Sequence, residues 1–216
     1  MTAPGATEPA PALAGLRRFL ERRPPPPPGS VCDLCNAPLD QDHAHVVDID
    51  AQALRCSCRA CWLLFTNEAA ARGRWRAVPE AYRLVAIDLD EATWEALQIP
   101  VGLAFFFVAT PVGRTVCLYP GPAGATESLL PLASWDRLVG ATPDLAGMAP
   151  DVEALLVRRA APGRFACYRV PIDACYELVG LVRASWRGFD GGQEAREAIE
   201  AFFDRLHQRC EGRRRG

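Results

Sequence analysis

Five of the nine cysteines fall within thirty residues, at Cys32, Cys35, Cys56, Cys58 and Cys61, written as CDLC, twenty residues, then CSCRAC. Two Cys-x-x-Cys turns at such a separation are the pattern of a structural zinc site. A tetrahedral ion needs four soft donors converging on one point. Each turn supplies two thiolates from one tight loop, so two turns close the shell. Whatever else the chain does, it must fold so that these two loops meet.

The equal spacing selects Cys32, Cys35, Cys58 and Cys61 as ligands and leaves Cys56 spare. His45–Asp50 and Ala53–Ser57 read as two short strands joined at Ala51-Gln52, and Cys58 to about Ala70 reads as helical. Knuckle, hairpin, then a helix whose first turn carries the second pair is the treble-clef, or zinc-ribbon-like, arrangement. In the hairpin register drawn from the sequence, His45 lies opposite Cys58. Cys56 or His45 is therefore an alternative ligand, and His45 is equally a donor to a bound thiolate. Iron is the alternative metal. Rubredoxin-like sites use the same two turns, usually with glycine after each pair; here Asn36 and Trp62 follow, which favours Zn²⁺.

At 216 residues the chain has room for one mid-sized domain and a small one. A formal charge of −2 gives no global attraction to nucleic acid or to a membrane surface. The longest apolar stretch, Val101–Ala109, is strand-sized and far short of the roughly 18 residues a membrane span needs. The N-terminus has neither a basic nor an apolar targeting segment, so a reducing, cytoplasmic location is expected, where clustered cysteines bind metal more often than they form disulfides. All 24 basic residues are arginine, which removes Schiff-base, Walker-lysine and Ser-Lys chemistry. No nucleophile elbow, dinucleotide fingerprint or zinc-protease helix is present, and the only histidines are His43, His45 and His207.

The predicted organisation is α+β. Residues 1–30 hold a polar start, a short helix over Leu13–Arg23 and a proline spacer, Pro24–Pro28. Residues 31–77 form the zinc module. Residues 78–210 form an antiparallel-sheet domain with C-terminal helices, and 211–216 a basic tail. In that domain Tyr82–Ile87 reads as a strand and Asp90–Leu97 as a helix capped by Asp90. Gly102–Thr110 with Arg114–Tyr119, and Val152–Arg158 with Arg164–Val170, read as hairpins around Pro111-Val112-Gly113 and Pro162-Gly163. Gly121–Gly124 reads as loop, and Ser134 as the cap of a helix toward Val139. A helix from Asp173 to about Trp186 is followed by a glycine-rich corner. The last helix then carries Ala195, Ile199, Phe202, Phe203 and Leu206 on one stripe. Cys117, Cys167, Cys175 and Cys210 sit in apolar surroundings, as small buried hydrophobes do.

Two resemblances follow. CDLC, Asp42-His43 and CRAC together are similar to zinc-bearing HNH nucleases. The loop after Asp42-His43 is too short for one, however, and the helix offers only Asn67 toward a Mg²⁺ site. A second resemblance covers nearly the whole chain. Leu16-Arg-Arg-Phe19, CDLC…HAHVVD…CSCRACWLLFT, GRWRAVP, VPIDACYELV and WRGFDGG look like a family of uncharacterised actinobacterial proteins encoded beside uptake nickel–iron hydrogenase genes. It implies a hydrogenase-associated accessory protein with the CDLC and CSCRAC cysteines carried over, and no established activity.

The expected function is that of a non-enzymatic zinc-binding adaptor whose partner is a protein, the hydrogenase or its maturation machinery. The alternatives are a rubredoxin-like iron electron-transfer or metal-handling protein, and a nucleic-acid-binding zinc protein, which the near-neutral charge disfavours. Candidate partner-binding residues are Arg74, Trp75 and Arg76 after the module, with Trp186 and Asp190 at the glycine-rich corner.

Overall fold

The computed structural model describes residues 26–67, 69–128, 142–145, 147–188 and 191–212. The expected helices over Leu13–Arg23 and from Ser134, together with Asp190 and residues 213–216 of the basic tail, lie outside these residues, and 211–212 belong to the last helix. Two antiparallel sheets frame the described chain. The smaller has the order β2-β1-β3, from β1 (Ala44–Asp48), β2 (Ala53–Ser57) and β3 (Trp75–Ala77). The larger has six strands in the order β4-β9-β8-β5-β6-β7. These are β4 (Arg83–Val85), β5 (Leu103–Ala109), β6 (Arg114–Gly121), β7 (Gly124–Glu127), β8 (Glu153–Ala161) and β9 (Arg164–Pro171). Helices α1 (Arg59–Leu64), α2 (Glu91–Ala96), α3 (Ile172–Ser185) and α4 (Gly192–Gly212) complete it. The architecture is α+β, a small metal-binding module followed by an antiparallel sheet and C-terminal helices. Among the described residues no helix is long and apolar enough to cross a membrane.

The larger sheet is covered on both faces, which is why its central strands are apolar at successive positions rather than at alternate ones. In β8, Ala154, Leu155, Leu156 and Val157 are all fully buried. On one face Leu103, Phe105, Leu156, Tyr168 and Val170 pack under α3 and α4 through Leu178, Val182, Phe202, Phe203 and Leu206. On the other, Ala104, Phe106, Leu155, Val157, Cys117 and Cys167 meet Trp94 and Leu97 of α2 and its flank. Asp90 caps α2 as expected, its carboxylate accepting from the Thr93 N–H at 2.7 Å. Both predicted hairpins form, and their turns use Gly113 and Gly163 at φ +64° and +67°, where a side chain would be strained.

Several local expectations are corrected. The β1–β2 turn begins earlier than expected. Asp48 accepts the Ala51 N–H, Gln52 takes φ 48°, and the Ile49 N–H goes to Arg74 O, so Ile49 and Asp50 leave the strand. The resulting register pairs His45 with Cys56, not with Cys58. Helix α1 stops at Leu64, well before Ala70. Thr66 Oγ1 bonds Leu63 O at 2.7 Å and Asn67 Oδ1 takes the Ala69 N–H at 3.0 Å, side-chain bonds that compete with helix continuation. The Gly121–Gly124 segment is a tight turn into a further edge strand, β7, whose residues Gly-Ala-Thr-Glu carry no apolar pattern to announce it.

The module shares the core of the larger sheet. Val47 and Ile49 from β1 and its turn, with Val78 after β3, belong to the same buried cluster as Ile172, Leu178 and Phe203. Polar ties reinforce the join. His45 Nδ1 donates to Asp173 at the start of α3 at 3.0 Å, and Arg76 donates to Asp151 and to Pro150 O.

Candidate metal centre

The first Cys-x-x-Cys turn is closed by its own backbone. Val31 bridges Pro38, the Cys32 N–H donates to Ala37 O at 2.7 Å, and the Asn36 N–H donates back to Cys32 O at 2.8 Å. Closing so tightly puts Asn36 at φ +60°, a conformation asparagine tolerates better than other non-glycine residues. The second turn is the start of α1. Cys58 is the N-cap, and its sulfur accepts from the Cys61 N–H at 3.5 Å. Trp62 fixes this helix to the module, its Nε1–H donating to Val78 O at 2.7 Å while Arg59 lies 4.0 Å over its ring. Asp33 joins the two halves: its N–H donates to Cys56 O, and its carboxylate accepts the Cys56 N–H, both at 2.9 Å.

The sulfurs of Cys32, Cys35, Cys58 and Cys61 all lie within 4.8 Å of one another. Those of Cys35 and Cys58 are 3.7 Å apart. A tetrahedral ion with metal–sulfur bonds of about 2.3 Å requires sulfurs about 3.8 Å apart, so the cluster has the dimensions of a four-thiolate site. Cys32 is buried, Cys58 and Cys61 are half-buried and Cys35 is exposed.

The protonation pattern of the group fits a cation. Burial opposes ionisation at Cys32, but N–H groups of Cys58, Leu34 and Cys35 directed at its sulfur prevail and lower the thiol from 9.0 to about 7. At Cys35 the Ala37 N–H favours the thiolate, yet the neighbouring sulfurs of Cys32 and Cys58 outweigh it and the thiol is pushed up. Burial, then the sulfurs of Cys35, Cys58 and Cys32, pushes Cys61 far up. The Cys32 thiolate is favoured while Cys35 and Cys61 resist ionisation, an opposition that a divalent ion at the centre would remove. The group can bind a metal ion.

Cys56 and His45 lie outside this cluster. They face each other across β1 and β2, and their ligand atoms fall within 4.8 Å of a third group, His43. The bond from His45 Nδ1 goes to Asp173 and not to a cluster sulfur. The sequence reading missed the approach of His43 to these two, because His43 lies just before the strand, where alternation does not fix its direction. His43 Nδ1 donates to Asp40 O at 2.9 Å, and Asn67 caps its own turn.

The residues assigned to partner binding have intramolecular partners. Arg74 binds Asp48 with two hydrogen bonds and stands 5.2 Å over Trp75, whose ring lies 6.0 Å from that of Phe65. Arg76 is engaged by Asp151. Trp186 Nε1 donates to Gly188 O at 3.0 Å, and its ring lies so close to Gly191 that a Cβ there would sit 3.2 Å from it. The aromatic group at the corner thus holds the turn between α3 and α4.

A family model described as a family of unknown function matches residues 31–210. The chain belongs to that family, DUF5947. The DUF5947 match begins one residue before Cys32 and runs into α4, so the four-cysteine module and the six-stranded sheet are parts of one family unit. No curated protein and no solved structure matches the chain.

Proposed function

We propose that the chain is a non-enzymatic accessory protein that holds zinc in its four-cysteine cluster and acts by binding another protein. The observation that carries this reading is the closed donor set. Four converging thiols complete a tetrahedral shell from the protein alone, the form structural zinc sites take, whereas catalytic ones keep a position open. Zinc is preferred to iron because Asn36 and Trp62 occupy the positions after each pair. The other thiols support a non-catalytic reading, since Cys117, Cys167 and Cys175 are buried in the core with burial pushing each thiol up. For the partner contact the module offers Leu63 and Leu64, which are 53% and 61% exposed on α1.

The partner we name is an uptake nickel–iron hydrogenase or its maturation machinery, and the support for it is the sequence resemblance alone. Affinity capture of the tagged chain from native cells, read by mass spectrometry, should return hydrogenase subunits or maturation factors. Leu63→Asp with Leu64→Asp should lose them. Deleting the gene should lower hydrogenase assembly while leaving hydrogenase transcripts unchanged. A fall in transcripts would favour the nucleic-acid reading, and visible absorbance from ferric thiolates would favour iron.

A further inference from the structure

We propose that the chain carries a second metal site, built from His43, His45 and Cys56, that takes a first-row divalent ion such as Zn²⁺ and leaves one coordination position open. It does not rest on the adaptor reading, because it uses none of the four clustered cysteines.

Three independent features converge on it. One ring nitrogen of each histidine and the Cys56 sulfur already lie within 4.8 Å of one another, and the two imidazole rings are 4.9 Å apart. The β1–β2 register sets Cys56 directly across from His45, and His43, immediately before β1, brings its ring beside that of His45. Each histidine has its Nδ1 hydrogen-bonded to an oxygen: Asp40 O for His43 at 2.9 Å, and Asp173 Oδ2 for His45 at 3.0 Å. In the neutral rings these bonds place the proton on Nδ1 and leave the lone pair on Nε2. The Nε2 of His43 is buried and has no hydrogen-bond partner.

The carboxylate behind His45 is the arrangement that orients and strengthens metal-binding imidazoles. Asp173 comes from α3, so the larger domain positions a ligand carried by the small module. Two imidazoles and one thiolate form a borderline-soft donor set suited to zinc or cobalt. Bonds of about 2.0–2.3 Å require the donors to close by roughly 1 Å, a movement within the reach of the His43 side chain at the mouth of β1. Beside the histidines lies a solvent-open cleft of about 750 Å³, also lined by Glu80, Asp173, Glu177 and Arg209, from which a fourth ligand can enter. Unlike the four-sulfur site, this one is built to exchange.

The test uses the full chain loaded with excess Zn²⁺ and then desalted, with zinc measured by mass spectrometry. About two ions per chain are expected, the second removable by a chelator of moderate strength while the first stays. His43→Ala and Cys56→Ser should each bring the ratio to about one, with the remaining ion held as tightly as in the wild type. Asp173→Asn should weaken the second ion by about 10–100-fold. Co²⁺ added to the one-zinc protein should give a thiolate-to-cobalt charge-transfer band that Cys56→Ser abolishes. A ratio of about one in wild type and variants alike would overturn the proposal, and so would a ratio of two that both variants retain. Loss of the tight ion in Cys56→Ser would also overturn it, by placing Cys56 in the four-sulfur site.

Discussion

Arg74 holds the Asp48 carboxylate with two parallel hydrogen bonds, Nε to Oδ1 at 3.1 Å and Nη2 to Oδ2 at 2.9 Å, and Asp48 is only 1% exposed. The arginine joins the entry to β3 to the end of β1. It also keeps a buried charge paired, so removing it costs more than a surface pair would.

Hydrogen bonds from Arg74 hold the Asp48 carboxyl below its usual range, opposed in part by burial. A depressed folded-state value stabilises the fold above the unfolded value, near pH 4, and that contribution is lost as pH falls through the folded one. Arg74→Met should therefore lower Tm by roughly 5 °C at pH 7, with the gap to wild type closing below about pH 4. Thermal melts across that range check it, and a gap that is constant with pH would count against the pairing.

Protein purified without added metal should contain about one zinc per chain, bound through Cys32, Cys35, Cys58 and Cys61. Cys58→Ser should lose that ion, whereas Cys56→Ser should keep it, because Cys56 lies outside the four-sulfur group. Metal analysis of the two variants decides the ligand set.

Stripping the tight ion should destabilise more than the small module. Val47, Ile49 and Val78 belong to the same buried cluster as α3 and α4. Strong chelation should lower the main thermal transition by more than about 5 °C rather than adding a separate early one. Calorimetry with and without chelator distinguishes the two outcomes.

Cys117, Cys167 and Cys175 should resist thiol reagents until the chain unfolds. Burial, with the Glu127 charge adding at Cys117, pushes Cys117 and Cys167 up to about 12, and Cys175 is raised as well. At pH 8 only about one in 10⁴ of the Cys117 and Cys167 thiols is ionised. Labelling in native buffer should leave these three unmodified, and mass mapping reads the result.

The parts of this fold that could be read from sequence are those set by neighbours along the chain. The four-cysteine group follows from two equal spacings, the hairpins from Pro-Val-Gly and Pro-Gly turns, and α2 from Asp90 standing before it. What escaped depends on partners far away. Arg74 and Arg76 read as partner-binding residues because their own partners, Asp48 and Asp151, lie 26 and 75 residues distant. His45 was set against the wrong cysteine because Asp48 starts the turn early, and a slip of this kind changes which residues face each other. Strand β7 was missed because an edge strand with one sheet neighbour and exposed side chains has little need of apolar residues.

Of the four clustered sulfurs, Cys35 alone is exposed, while Cys32 is buried behind the knuckle and Cys58 and Cys61 are half-covered. An oxidant, a competing chelator or an acceptor protein arriving from solution therefore meets Cys35 first. An ion bound there would be released first through its bond to Cys35, and oxidative damage to the centre should be recorded at Cys35 before any of the other three sulfurs.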